Sequence, residues 1–292
     1  MVLRLIGAVA LAALAGMAAR ADDLVERGAY LAAIGGCAGC HTDVAGKGPA
    51  YAGGRALATP MGTFFGPNIT PDPVHGIGAW SEADVLRALR HGVGRGGVDL
   101  YPAFPYPSFT GITDEDARAI KAYLFSLPAV AAPSKPHDLR FPFSWRLLMR
   151  VWNWLFFTPG PFRPDGARSP EWNRGAYLVE ALGHCAECHT PRNLLGGLER
   201  SKSFSGTRDG PEGKSVPNIT PDPETGIGKW SEVDLTYFLE TGILPDGDAT
   251  GSVMGEVVKN GTSRLTAEDR RAVAAYLRSL KPIAHRIGRK AP

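Results

Sequence analysis

Residues 27–42 read RGAYLAAIGGCAGCHT, and residues 174–190 read RGAYLVEALGHCAECHT. Two more blocks recur in the same order. PNITPDPVHGIGAWSEADV from Pro67 returns as PNITPDPETGIGKWSEVDL from Pro217, and ITDEDARAIKAYLFSL from Ile112 returns as LTAEDRRAVAAYLRSL from Leu265. The offsets are 148 for the cysteines, 150 for the PNITPD block and 153 for the final block. Three ordered matches make the chain a duplicated unit, and the repeat sets its architecture before any single element is considered.

Each copy reads as all-α with long loops. Leu24, Ala29, Leu31 and Ile34, and likewise Tyr177, Leu178, Ala181 and Leu182, fall at helical spacing ahead of the first cysteine of each copy. Ser81 and Ser231 are N-cap residues with Asp three positions on, and Gly92 and Gly242 stand where a C-cap belongs. Thr113 and Thr266 cap the last helix of each copy, with Asp116 and Asp269 at the third position. No alternating strand pattern stands out. A small helical unit with a loop-rich middle calls for something beyond its own core to hold it together.

All four cysteines lie in two CxxCH motifs: Cys37, Cys40, His41 and Cys185, Cys188, His189. Two thiols three positions apart share one face of a helical turn, where each can add to a haem vinyl group. The following histidine is then carried beneath the iron. A four-cysteine zinc site fits less well, because Cys40 and Cys185 are 145 residues apart in separate copies. Redox pairs or disulfides leave both histidines without a reason. Two covalently bound haem c groups are the expectation, with His41 and His189 on iron.

The distal ligands differ between the copies. The 150 offset sets Met254 against Phe104. Thioether sulfur opposite histidine raises a haem's reduction potential, so Met254 is the expected sixth ligand of the second haem. Phe104 cannot ligate. For the first haem Met61, His75, His91 and an open iron all stand as alternatives, with Met61 the one methionine of that copy. Trp80 and Trp230 serve either as core or as indole donors to haem propionates.

The first 21 residues read as a secretory leader: Arg4, an apolar run over Leu5–Ala18, then Ala19-Arg20-Ala21 as a cleavage pattern. Export agrees with covalent haem attachment, and it predicts a periplasmic location. The formal charge of +3 falls to 30 basic against 29 acidic residues without Arg4 and Arg20, too even a balance to argue for a nucleic-acid partner, and none is expected. Between the copies lies a segment Pro-rich at both ends, whose centre, SWRLLMRVWNWLFF over Ser144–Phe157, is too short to cross a bilayer. It reads as a packed strap, or as a helix that docks on a dehydrogenase or rests peripherally on a membrane surface.

With these blocks in hand the chain resembles the cytochrome c subunits of bacterial membrane-associated dehydrogenases that oxidise alcohols, gluconate or sorbitol. The resemblance implies tandem class I cytochrome c folds; with the leader and the repeat, these set a signal peptide over 1–21, a first domain over 22–130, a connector over 131–170 and a second domain over 171–292. It also implies electrons taken from a partner dehydrogenase and passed to a downstream oxidase or soluble cytochrome. Two features depart from that family. Its members commonly carry three CxxCH motifs, and they show YPAMPY where this chain has Tyr101-Pro102-Ala103-Phe104-Pro105-Tyr106. The competing expectation is a haem enzyme acting on peroxide or a sulfur oxyanion at an open first iron.

Overall fold

The computed structural model describes residues 20–288; the expected leader lies outside them save for its last two positions. Helix α1 (20–34) leads into α2 (Cys37–His41), which carries the first motif. Helices α3 (Glu82–His91), α4 (Tyr106–Phe109) and α5 (Asp114–Ser126) complete the first copy. In the second copy, α7 (Pro170–Ala176) runs into a π-helical segment over Tyr177–Leu182 and then α8 (Ala186–His189). Helices α9 (Glu232–Thr241), α10 (Ser252–Asn260) and α11 (Ala267–Ser279) follow. The connector holds α6 (Leu148–Phe156).

The terminal helices of each copy cross where a glycine removes the side chain. A Cβ on Gly28 would stand 1.9 Å from the Ala119 carbonyl oxygen, and one on Gly175 would stand 1.9 Å from that of Ala272. The repeated RGAY tetrapeptide is therefore a crossing point, with α1 against α5 and α7 against α11. Leu31, Ile120, Leu178, Val179, Ala274 and Leu277 fill the core beside these crossings.

The expected caps form. Ser81 with Asp84 and Ser231 with Asp234 make complete capping boxes, and Gly92 and Gly242 end their helices in the left-handed region at φ 64° and 75°. Thr113 and Thr266 also cap, each accepting from the backbone N–H of the Asp three residues on. Asp116 and Asp269 do not return the bond to the cap. Their carboxylates receive Arg27 and Arg174 from the RGAY blocks instead.

Two features went beyond the all-α expectation. A small antiparallel sheet joins β1 (Ala56–Thr59), β2 (Gly62–Phe65) and β3 (Asp138–Leu139), in register Ala56↔Phe65 and Gly62↔Leu139. Strands of four residues or fewer carry too little alternation to be legible in sequence. The second is the π-helical segment. Arg174 to Cys185 is one residue longer than Arg27 to Cys37, and the extra residue is absorbed inside the helix as a π-bulge.

The connector packs as a strap through one face of α6. Met149 is buried with Phe64 and Tyr101, Trp152 donates its indole N–H to the Leu195 carbonyl at 3.0 Å, and Asn153 accepts from Tyr106. The other face leaves Leu147, Val151 and Trp154 exposed, Trp154 at 82%. Among the described residues no helix is long and apolar enough to cross a membrane.

Two candidate haem sites

The short helices α2 and α8 present their cysteines and histidines to one continuous cavity of about 2050 Å³. In each copy the PNITPD loop wraps beneath the histidine. His41 Nδ1–H donates to the Pro67 carbonyl at 2.7 Å, and His189 Nδ1–H donates to that of Pro217 at 2.8 Å. Such a bond fixes the tautomer and leaves Nε2 with its lone pair toward the cavity, the arrangement a metal-binding imidazole needs. Burial lowers the pKa of both rings, which keeps them neutral.

The Asn of each PNITPD block locks its loop. Asn68 Oδ1 accepts from the backbone N–H and hydroxyl of Thr70, and Asn218 does the same for Thr220. All four residues are nearly or fully buried. The motif is repeated because it braces the carbonyl that orients histidine.

The four thiols fit thioether formation better than metal thiolate chemistry. Burial pushes Cys37 and Cys185 up to about 12 and Cys188 up to about 11, and it raises Cys40 as well. A neutral sulfur is what this apolar wall accommodates, and a thioether is neutral. His184, just ahead of Cys185, bonds through Nε2 to the Gly35 carbonyl, two residues ahead of Cys37, at 3.3 Å, so the two motifs meet across the seam between the copies. Helix α2 packs on α10, and α4 packs on the π-helical segment ahead of α8. Each copy's cysteine segment is thus covered by the other copy's distal element.

Met254 lies near the start of α10 and lines the cavity. Met61 sits on the turn between β1 and β2. Its backbone oxygen accepts from Arg140, and its methyl group lies over Gly196 of the second copy. His75 lines the cavity from the PNITPD loop, and His91 is exposed at the end of α3. Trp80 and Trp230 line the cavity as well, and their indole N–H groups meet no protein acceptor among the described residues. By contrast Trp152 and Trp172 donate to Leu195 and Ser279. Donors left at a cavity wall fit haem propionates. Two cavity residues that sequence reasoning did not single out are His137, which lies in the connector, and His184, whose match in the first copy is Gly36.

Residues 25–128 and 173–281 each match the cytochrome c family model. The "Diheme cytochrome c-type" protein of Cereibacter sphaeroides is 44% identical over 262 residues, covering 88% of this chain and 86% of that one. A nicotinate dehydrogenase subunit of Pseudomonas putida is 45% identical over 88% of this chain but only 21% of its own length. The gluconate 2-dehydrogenase cytochrome c subunit of Pantoea cypripedii is 41% identical over 94% of this chain and 63% of its own. Apart from the Cereibacter protein, these relatives extend well beyond the matched region. A duplicated CxxCH unit, histidines oriented by carbonyls over an apolar cavity, and two family matches agree: the chain belongs to the cytochrome c family and carries two covalently bound haem c groups.

Proposed function

We propose that the chain is an electron carrier, taking electrons from a partner dehydrogenase and passing them to a downstream oxidase or soluble cytochrome. Haem supplies one-electron chemistry, and the protein's part is to hold it, tune it and exclude water. Cys37 and Cys40 attach the first group and Cys185 and Cys188 the second. His41 and His189 are the proximal ligands, and Met254 is the distal ligand of the second site. The relatives' names support a dehydrogenase as donor, since they include subunits of nicotinate, gluconate and alcohol dehydrogenases. The leader pattern over residues 1–21 supports export and a periplasmic location.

The observation that carries this reading is the single cavity shared by both motifs, with His184 of one bonded to Gly35 of the other across the seam. Two groups attached to one cavity would have a short path for an electron between them. The test is rapid mixing of the oxidised two-haem protein with a dehydrogenase that copurifies with it, plus that enzyme's substrate. Both haems should be reduced together, with exchange between them faster than entry. A protein whose haems stay oxidised beside every copurifying dehydrogenase would sink the proposal.

A further inference from the structure

We propose that the first haem site has no protein ligand on its distal side, and that Phe104 closes there an apolar pocket admitting a neutral diatomic ligand of ferrous iron. The proposal rests on reading His41 as the proximal ligand. It begins from the register of the two copies, which backbone hydrogen bonds fix independently of sequence. Gly94 N–H donates to Val98 and Leu244 N–H to Asp248, both at 2.8 Å. Leu100 N–H donates to Gly92 at 2.7 Å and Thr250 N–H to Gly242 at 2.8 Å. Every pair is separated by 150 residues. Four positions on, the same offset pairs Phe104, in the turn ahead of α4, with Met254, in the first turn of α10, and both side chains line the cavity. A phenyl ring has no lone pair for iron.

The other potential donors are held by other contacts. Met61 lines the cavity from the β1–β2 turn with its methyl group against Gly196, and Met149 is held at 8% exposure against Phe64 and Tyr101. His137 accepts the Phe65 N–H on Nδ1 at 3.1 Å, its ring edge-on to Phe64 and Tyr101, each 5.4 Å between centroids. His184 Nε2 is bonded to the Gly35 carbonyl, and its ring packs on Phe109 at 5.3 Å. His75 belongs to the loop that braces His41 from the proximal side, and His91 faces solvent.

The wall around Phe104 also selects the ligand class. Leu100, Pro102, Ala103, Pro105 and Phe109 are apolar, and Phe104 packs on Phe109 with ring centroids 5.5 Å apart. The neighbouring hydroxyls are spent, Tyr101 on the Ser144 carbonyl at 3.2 Å and Tyr106 on Asn153 at 2.5 Å. These side chains offer no free donor to neutralise an oxyanion or polarise a peroxide. Carbon monoxide and nitric oxide need neither service, because they bind through iron alone.

The test is a carbon monoxide titration of the full two-haem protein reduced with dithionite. Wild type should take up about one equivalent per two haems, and Phe104→Met should take up none. Oxidised wild type should show one methionine–iron band in the near infrared, and Phe104→Met two. Wild type that takes up no carbon monoxide overturns the proposal, as does a second methionine–iron band lost in Met61→Ala or Met149→Ala. Should Phe104→Met fail to fold, the wild-type stoichiometry and band count decide alone. A haem count of two with one methionine–iron band lost in Met254→Ala leaves the carrier reading intact when carbon monoxide uptake fails. A haem count below two sinks that reading itself.

Discussion

Tyr177 donates its hydroxyl to the buried carboxylate of Asp116 at 2.5 Å, tying the helix ahead of the second haem motif to the last helix of the first copy. Tyr30 makes the reciprocal bond to Asp269 at 2.6 Å. Each aspartate takes its arginine from its own copy and its tyrosine from the other: Arg27 on Asp116, Arg174 on Asp269. The RGAY block is therefore half of a twofold latch. Replacing either tyrosine by Phe removes a hydrogen bond to a charged acceptor, worth about 1.5–3 kcal/mol. Denaturant unfolding of Tyr30→Phe and Tyr177→Phe should show losses of that size. Unchanged midpoints would mean that the latch contributes nothing.

The latch is pH-sensitive on its acidic side. Burial alone would raise the Asp269 pKa, but hydrogen bonds from Arg174 and Tyr30, with the Arg174 charge, hold it below the ordinary carboxylate value. A depressed folded-state pKa stabilises above the unfolded value of about 3.9 and loses that stabilisation as pH falls through the folded value. Stability measured from pH 6 down to 3 should fall less steeply for Asp269→Asn than for wild type. Parallel curves would rule out this residue as a source of acid lability.

Gly28 and Gly175 tolerate no side chain, since each would place Cβ at 1.9 Å from a helix carbonyl oxygen. Gly28→Ala and Gly175→Ala must separate the crossed helices, at about 1–3 kcal/mol or more each. Thermal melts of the holoprotein should fall accordingly. Gly39, which meets nothing within 4 Å, is the matched control whose Ala variant should melt near wild type.

The π-bulged segment carries a hydrogen bond that the first copy makes differently. In the first copy Tyr123 pairs with the hydroxyl of Tyr51 at 3.4 Å. Phe204 has the corresponding place, with φ 63° against 61°, and it has no hydroxyl to offer. Glu180, on the bulged segment, accepts from Tyr276 instead. Glu180→Ala should cost about 1 kcal/mol in wild type and much less in a Tyr276→Phe background. Equal costs in both backgrounds would dissociate the bulge from that bond.

Met254→Ala should lower the second haem's reduction potential, by a fraction of the roughly 0.8 V range that axial ligands command. Potentiometry would show one of two midpoints moving, with loss of a methionine–iron band. If neither moves, the distal ligand lies elsewhere.

Much of the protein was legible in its sequence. The duplication, the two haem attachments, the caps on α3, α5, α9 and α11 and the pairing of Phe104 with Met254 all follow from short-range rules: thiol spacing, helix-end chemistry and repeat register. Local preference also predicted Asp116 and Asp269 as cap partners, and there it stopped short. These carboxylates bond to residues 61 and 239 positions away, and no local pattern encodes such partners. The short sheet, the π-bulge, the spent donors His137 and His184 and the single cavity were likewise decided by tertiary packing. The sheet ties the first copy to the connector, and His184 and the cavity lie where the two copies meet. Which donors remain free beside the first iron depends on that contact, and a repeat read one copy at a time does not contain it.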